Sequence, residues 1–389
     1  MNDQAIIDFI KNLYPDKQTI ALHEPVFSGN EKKYVAECID STYVSSVGPF
    51  VGKFEQAIAE FAGNGPENEI YAVACVNGTA ALHLALLAAG VTAGDEVITQ
   101  PLTFIATVNP ILYAGARPVF VDIDADSLGL SPARLRAFLE THTKMRGGQC
   151  INSRTGAVIR ACVPMHTFGN PGRIDEIAGI CHEFGITLIE DAAESIGSYY
   201  KGQHTGTFGR MGVLSFNGNK TITTGGGGMI ITRDAELASH LKHLSTQAKI
   251  PHPWEFSHDE IGYNYRLPNI NAALGVAQME YVDRMLASKR EIAAKYAGFF
   301  AGIGIPMICE IPDARSNFWL NGIFLANRTE RDEFLQAATS RGVQCRPAWN
   351  LIPSLAMYKD FQCEEIPVAI HASETLVNIP SSPVLNKAV

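Results

Sequence analysis

Tyr71-Ala72-Val73-Ala74-Cys75-Val76-Asn77-Gly78-Thr79-Ala80-Ala81-Leu82 is the stretch that decides the fold. Its first six residues carry no charge and read as a short buried strand. Asn77-Gly78-Thr79 then turns the chain straight into an Ala- and Leu-rich helix over 78–89. The same alternation continues downstream. Strands over 97–99, 118–121, 158–163 and 187–189 alternate with helices over 104–113, 132–141 and 174–184. Strand–helix alternation predicts an α/β fold with a largely parallel sheet and helices on both faces. Ligands of such sheets collect at the carboxyl ends of the strands.

On the N-terminal side, 31–40 and 51–61 carry apolar residues at helical spacing, joined by an extended, turn-rich link over 41–49. On the C-terminal side, the strands over 212–216 and 229–232 need not share the parallel direction. A helix over 235–244 follows, capped by Asp234. A helical pattern then runs over 269–300, interrupted only by Gly275 and Gly298. It predicts a bridge from a large domain, 1–268, to a smaller C-terminal domain, 269–389. That smaller part holds a strand over 319–325 and a helix over 330–341.

Composition narrows the class. With 46% hydrophobic and 18% charged residues, the 389-residue chain can bury a sizeable core. Its net charge of -9 argues against nucleic acid or an anionic membrane as partner. The eight cysteines form no C-x-x-C pair or other zinc spacing, so no metal site is expected, and scattered thiols favour a reducing compartment. The segment from Met1 to Gln4 has no basic-then-apolar leader pattern, and no apolar run is long enough to span a bilayer. A soluble cytoplasmic protein is expected.

Four polar elements fall near predicted strand ends. Gly78 and Thr79 open a helix, where free N–H groups and a hydroxyl can hold a phosphate; the same residues also read as an ordinary helix start capped by Asn77 or Thr79. Leu188-Ile189-Glu190-Asp191-Ala192-Ala193-Glu194 ends an apolar strand in two acids. A carboxylate there suits a pyridine nitrogen, or caps the next segment. Ser215-Phe216-Asn217-Gly218-Asn219-Lys220 precedes Gly225–Gly228. Lys220 alone reads as a surface lysine, but in a partly desolvated pocket it can lose its proton and form a Schiff base with an aldehyde. Ser215 on the strand before it can aim at the same phosphate. In Gly262-Tyr263-Asn264-Tyr265-Arg266-Leu267-Pro268-Asn269, Asn264 and Arg266 share a side in an extended segment; otherwise it is a loop with Asn269 capping the helix.

Together with Thr103-Phe104 these segments resemble the DegT/DnrJ/EryC1/StrS sugar aminotransferases over nearly the whole length. The resemblance implies fold type I, a mostly parallel seven-stranded-type sheet flanked by helices, with pyridoxal 5'-phosphate as cofactor. Lys220, 29 residues after Asp191, is similar to the lysine that carries the cofactor and then moves the proton. Asp191 resembles the carboxylate on the ring nitrogen, and Phe104 the aromatic residue stacked on the ring. Gly78, Thr79 and Ser215 match the phosphate donors. Asn264 matches the residue that reaches the phosphate of a neighbouring subunit, which implies a homodimer with shared sites. Glu194 departs from the Gln or His common near the cofactor hydroxyl. Asn77 stands where Ser is common and is left unassigned.

The implied reaction moves the amine of L-glutamate to C4 of a nucleotide-linked 4-keto-6-deoxy sugar. The stretches 43–51 and 245–248 point to UDP-linked 2-acetamido-4-keto-2,6-dideoxyhexose; dTDP- or GDP-linked sugars, or a non-catalytic regulator on the same fold, are the alternatives. Arg266, Arg346 and Lys249 are candidate cations for the diphosphate, and His166 is a candidate lining residue. A desulfurase or lyase would need a mobile cysteine, and none is suitably placed. A phosphate-binding G-K-[ST] loop is absent.

Overall fold

The computed structural model describes residues 3–63 and 69–385. Met1 and Asn2, the start of the segment read for a leader, lie outside them, as do residues 386–389 of the expected C-terminal domain. No helix of the described residues is long and apolar enough to cross a membrane.

Three helices lead in: α1 (Asp3–Leu13), α2 (Glu31–Asp40) and α3 (Pro49–Gly63). The alternating region follows as β1 (Tyr71–Cys75), α4 (Gly78–Ala88), β2 (Glu96–Thr99), α5 (Ile105–Tyr113), β3 (Arg117–Phe120), α6 (Pro132–His142), β4 (Ile159–Val163), α7 (Ile174–Glu183) and β5 (Thr187–Asp191). Then come β6 (Met211–Ser215), β7 (Gly228–Thr232) and α8 (Ala235–Ser245), with Asp234 accepting from the Leu237 N–H at 3.0 Å. The remainder is α9 (Asn269–Met279), α10 (Val282–Gly302), β8 (Asn321–Phe324), α11 (Arg328–Ser340), β9 (Arg346–Pro347), α12 (Pro367–Thr375) and β10 (Leu376–Ile379).

The main sheet has seven strands in the order β1-β7-β6-β5-β4-β2-β3. Its pairings are parallel from β6 through β5, β4 and β2 to β3. Only β7 runs against its neighbours β6 and β1. The connection explains this. Residues 216–227 contain no helix, and the Phe216 N–H donates to the Gly227 carbonyl at 2.9 Å. Without a crossover helix the chain returns antiparallel. Of the two strands whose direction the sequence left open, β6 joins the parallel set and β7 reverses. Lys220 rides in the loop between them.

Strand alternation divides the core. Val73, Val97, Ala161, Ile189 and Val213 share one core with α4, α5 and α8. Their neighbours point the other way: Ala74 and Leu214 against α3 and α9, Ile98, Cys162 and Leu188 against α6 and α7. Towards the C-terminus, β8, β10 and β9 form a small antiparallel sheet. Both chain ends build this layer, because Ile6, Ile7 and Ile10 of α1 share a core with Tyr296, Phe300, Ile323 and Phe334. By contrast α9 packs with α2 and α3, beside the main sheet.

The expected continuous helix over 269–300 is two helices. It breaks at Glu280-Tyr281, where Tyr281 has φ -136°, and not at either glycine. The Tyr281 hydroxyl donates to the Val26 carbonyl at 2.8 Å and also meets Glu31, so tertiary bonds hold the break. Gly275 has another use: a Cβ there would lie 2.6 Å from the Phe54 ring, so the glycine lets α9 close on α3. Asn269 is not the cap; Pro268 holds that position. The Asn269 carboxamide accepts from the Phe50 N–H at 2.9 Å and donates to the Tyr43 carbonyl at 2.7 Å, tying the link over 41–49 to α9.

Candidate active site

A cavity of about 300 Å³ lies at the carboxyl ends of the main-sheet strands. Gly78, Thr79, Phe104, Asp191, Glu194, Ser215 and Lys220 all line it. Asn264 lies elsewhere, as do the candidate lining residue His166 and the candidate cations Arg266, Arg346 and Lys249.

At one end sits the start of α4. Asn77 is extended, and its side chain accepts from the Ala80 N–H at 2.8 Å while its carbonyl takes the Ala81 N–H. Asn77 is therefore the cap. The N–H groups of Gly78 and Thr79 remain among those a first helical turn cannot satisfy internally. Ser215, at the end of β6, closes this corner: a Cβ on Gly78 would stand 3.1 Å from its own Cβ. Gly228 is more constrained. A Cβ there would lie 2.4 Å from the Asn77 carbonyl carbon and 2.6 Å from the Gly78 nitrogen. Backbone meets backbone at that point, and a side chain does not fit.

The two acids at the end of β5 diverge, as successive strand residues must. Asp191 faces the cavity, where Thr107 Oγ1 donates to it at 2.7 Å and the Ala193 N–H at 3.1 Å. Burial raises its pKa, against the pull of those hydrogen bonds. Glu190, fully buried, takes the N–H groups of Gly206, Phe208 and Gly209, each at 2.7 Å, and His166 Nε2 at 3.0 Å. It pins a loop. His166 is likewise not a lining residue. Its Nδ1 accepts from the Gly172 N–H at 3.3 Å, which leaves the Nε2 proton for Glu190.

Lys220 Nζ donates to Glu194 Oε1 at 3.2 Å and stands 4.1 Å from the centroid of the Trp319 ring. The other Glu194 oxygen accepts from the Phe168 N–H at 2.9 Å. Burial pushes the Glu194 carboxyl up to about 7, with the Lys220 charge opposing the rise. A carboxyl titrating there can hold or release a proton beside the amine near neutrality. Phe104, the residue preceding α5, is 48% exposed and presents its ring to the cavity.

Sequence reasoning missed Thr107, Trp319 and Trp349, all of which line the cavity. Thr107 lies three residues after Phe104, so helical spacing was a usable signal. Trp319 and Trp349 arrive from the C-terminal layer, and their only trace was the rarity of tryptophan, three in the chain. Trp319 Nε1 donates to the Asn219 carbonyl at 2.7 Å, bracing the lysine loop.

Asn264 is exposed, and its oxygen accepts from Arg266 Nε at 3.1 Å and Nη2 at 3.0 Å. Its segment adds to the free edge of β1 through a Cys75–Arg266 bridge, outside this chain's own cavity. Arg266 and Lys249 line an open surface hollow, whereas Arg346 lines a second cavity beside the first. His243, Asp259 and Glu260 bring ligand atoms within 4.8 Å of one another on the surface, but none of the three lines the main cavity. No cysteine lines it either.

The donor set fits pyridoxal phosphate. An open helix start beside a hydroxyl suits a phosphate, a buried acid suits a ring nitrogen, and an amine lines the same cavity. Residues 26–389 match the model of the DegT/DnrJ/EryC1/StrS aminotransferase family. A GDP-perosamine synthase of Escherichia coli O157:H7 is 38% identical over 368 residues, 94% of each chain. A GDP-perosamine synthase of Caulobacter vibrioides is 35% identical over 377 residues, 96% of each. The structure of the aminotransferase TlmJ from Streptoalloteichus hindustanus matches with a TM-score of 0.83 at 27% identity, covering 95% of this chain and 94% of that one. A cavity built around Lys220 and Asp191, on a chain matched from residue 26 onward, belongs to a member of the DegT/DnrJ/EryC1/StrS aminotransferase family.

Proposed function

We propose that this sugar aminotransferase moves the amino group of L-glutamate to C4 of a GDP-linked 4-keto-6-deoxy sugar. The carrying observation is Lys220 Nζ, 3.2 Å from Glu194 in the cavity that Asp191 also lines. The choice of GDP is supported by the names of the two relatives, at 38% and 35% identity. It displaces the UDP-linked acceptor expected from 43–51 and 245–248. No residue of either stretch lines the cavity.

Pyridoxal phosphate is the cofactor, and when bound it supplies the electron sink that lets an amine change carbon atoms. The chain's own groups do the rest. Lys220 anchors the cofactor and, once released, holds and moves the proton at the reacting carbon. Glu194 accepts from the lysine Nζ and orients it. Asp191, kept in place by Thr107 and Ala193, meets the ring nitrogen. Gly78, Thr79 and Ser215 take the phosphate, and Phe104 covers the ring face. We assign Asn264 to the cavity of a second copy, which makes the working unit a homodimer.

The test supplies the cofactor-loaded protein with glutamate and, in parallel, GDP-, UDP- and dTDP-linked 4-keto-6-deoxy sugars, and measures 2-oxoglutarate. Turnover of the GDP sugar is expected. Turnover confined to the UDP or dTDP sugar overturns the choice of nucleotide, and no turnover with any of them overturns the sugar acceptor.

A further inference from the structure

A second cavity of about 490 Å³ adjoins the first, and Phe104, Asn219, Trp319 and Trp349 line both. Beyond these shared walls it is bounded by the small sheet. Its one charged lining residue is Arg346, on β9. Asn378, on β10, lines it too and is the cross-strand partner of Arg346, so the two side chains share a face of the sheet.

Both side chains have unspent bonding capacity. Arg346 Nη1 donates to the Cys345 carbonyl at 2.9 Å, and no carboxylate pairs with the guanidinium among the described residues. Asn378 is 3% exposed, and its Oδ1 is buried without a hydrogen-bond partner. A buried polar atom left unpaired in a cavity wall is a place where a ligand group belongs. An unpaired guanidinium in an otherwise uncharged, aromatic-walled space is an anion site, the more so in a chain of net charge -9.

We propose that Arg346 and Asn378 hold the diphosphate end of the sugar nucleotide. Arg346 pairs with the phosphate oxygens, and Asn378 stands beside it on the same face of the sheet, in the wall of the same cavity. The sugar then passes between Phe104, Trp319 and Trp349 to present its keto carbon to Lys220. This rests on the nucleotide-sugar reading above. The donor's carboxylate is the rival anion. Its α-carboxylate is one bond from the reacting carbon, so its partner must line the first cavity, which Arg346 does not. The diphosphate hangs from C1, across the ring from C4, and so falls beyond the shared aromatic walls.

The experiment titrates GDP and UDP into cofactor-loaded wild type, Arg346→Ala and Arg346→Gln, and measures kcat and KM for both substrates. Arg346 is exposed, so either variant should fold; the melting temperature and the cofactor absorbance check this. Nucleotide affinity and acceptor KM should each worsen about 10- to 100-fold, as for loss of a charge-assisted contact, while glutamate KM and saturated kcat change less than about two-fold. Unchanged GDP and UDP affinity overturns the subsite while leaving the nucleotide-sugar reading intact. A rise in glutamate KM in place of acceptor KM overturns it in favour of the donor carboxylate. If wild type itself neither binds the nucleotides nor turns over any nucleotide sugar, the subsite and the reading it rests on both fail.

Discussion

Glu190 and Asp191 are adjacent acids with opposite assignments, and conservative amides separate them. Glu190 Oε1 takes the Phe208 and Gly209 N–H groups, and Oε2 takes the Gly206 N–H and His166 Nε2. Glu190→Gln keeps one oxygen. Its NH2 must face one of those donor pairs, and two charge-assisted bonds are lost. His166 cannot compensate by moving its proton, because Nδ1 already accepts from Gly172. At about 1.5–3 kcal/mol per bond to a charged group, the loss is about 3–6 kcal/mol. Scaling the unfolding entropy to this length, Tm should fall by about 4–7 °C. Asp191→Asn behaves differently. Burial already raises the Asp191 pKa, so the charge there is a cost to folding, and removing it should move Tm by less than about 1 °C. Transamination should instead drop about 100-fold or more, because a neutral amide cannot keep the ring nitrogen protonated. The assay is a thermal melt of cofactor-free protein at fixed concentration, beside single-turnover kinetics of the loaded enzyme. A Glu190→Gln melt within 1 °C of wild type, or a larger Tm loss for Asp191→Asn, would refute the division of roles.

Lys220→Arg keeps the charge but should abolish transamination, and borohydride reduction should label the wild-type Lys220 peptide only; a labelled variant would mean another amine carries the cofactor. Glu194 has its pKa raised from 4.5 to about 7. In cofactor-free protein its contribution to stability is therefore fully present below about pH 4.5 and lost as pH rises through about 7. Glu194→Gln should thus gain Tm relative to wild type between pH 5 and pH 8, and a constant difference across that range would contradict the raised pKa. Gly228→Ala places a Cβ 2.4 Å from the Asn77 carbonyl carbon, where only backbone can yield. It should weaken cofactor retention on gel filtration at least about ten-fold while leaving the far-UV spectrum intact; full retention would show that the turn can shift without harm.

Part of this protein could be read along the chain because it depends on neighbours a few residues apart. The strand–helix alternation from Tyr71 to Asp191, the Asn77-Gly78-Thr79 turn and the Asp234 cap are matters of periodicity and turn chemistry, and each lies where that pattern put it. Lys220 and Asp191 were found the same way, as polar residues at strand ends. The unbroken helix over 269–300 was misread because its break depends on the Tyr281 hydroxyl bonding Val26, 255 residues away. Glu190 and Asp191 look alike in sequence. Period-two alternation sends them to opposite faces, but packing alone decides which face holds the cavity. Trp319 and Trp349 reach the lysine only because the C-terminal layer folds over the strand ends, and Asn264 misses it because its segment adds to the outer edge of β1. The sequence by itself determined the strand–helix order, the helix-opening turn at Gly78-Thr79, and Asp191 and Lys220 as polar residues near strand ends, all of which line one cavity. Tertiary structure decided what surrounds them, because contacts across a hundred or more residues leave no local periodicity to read.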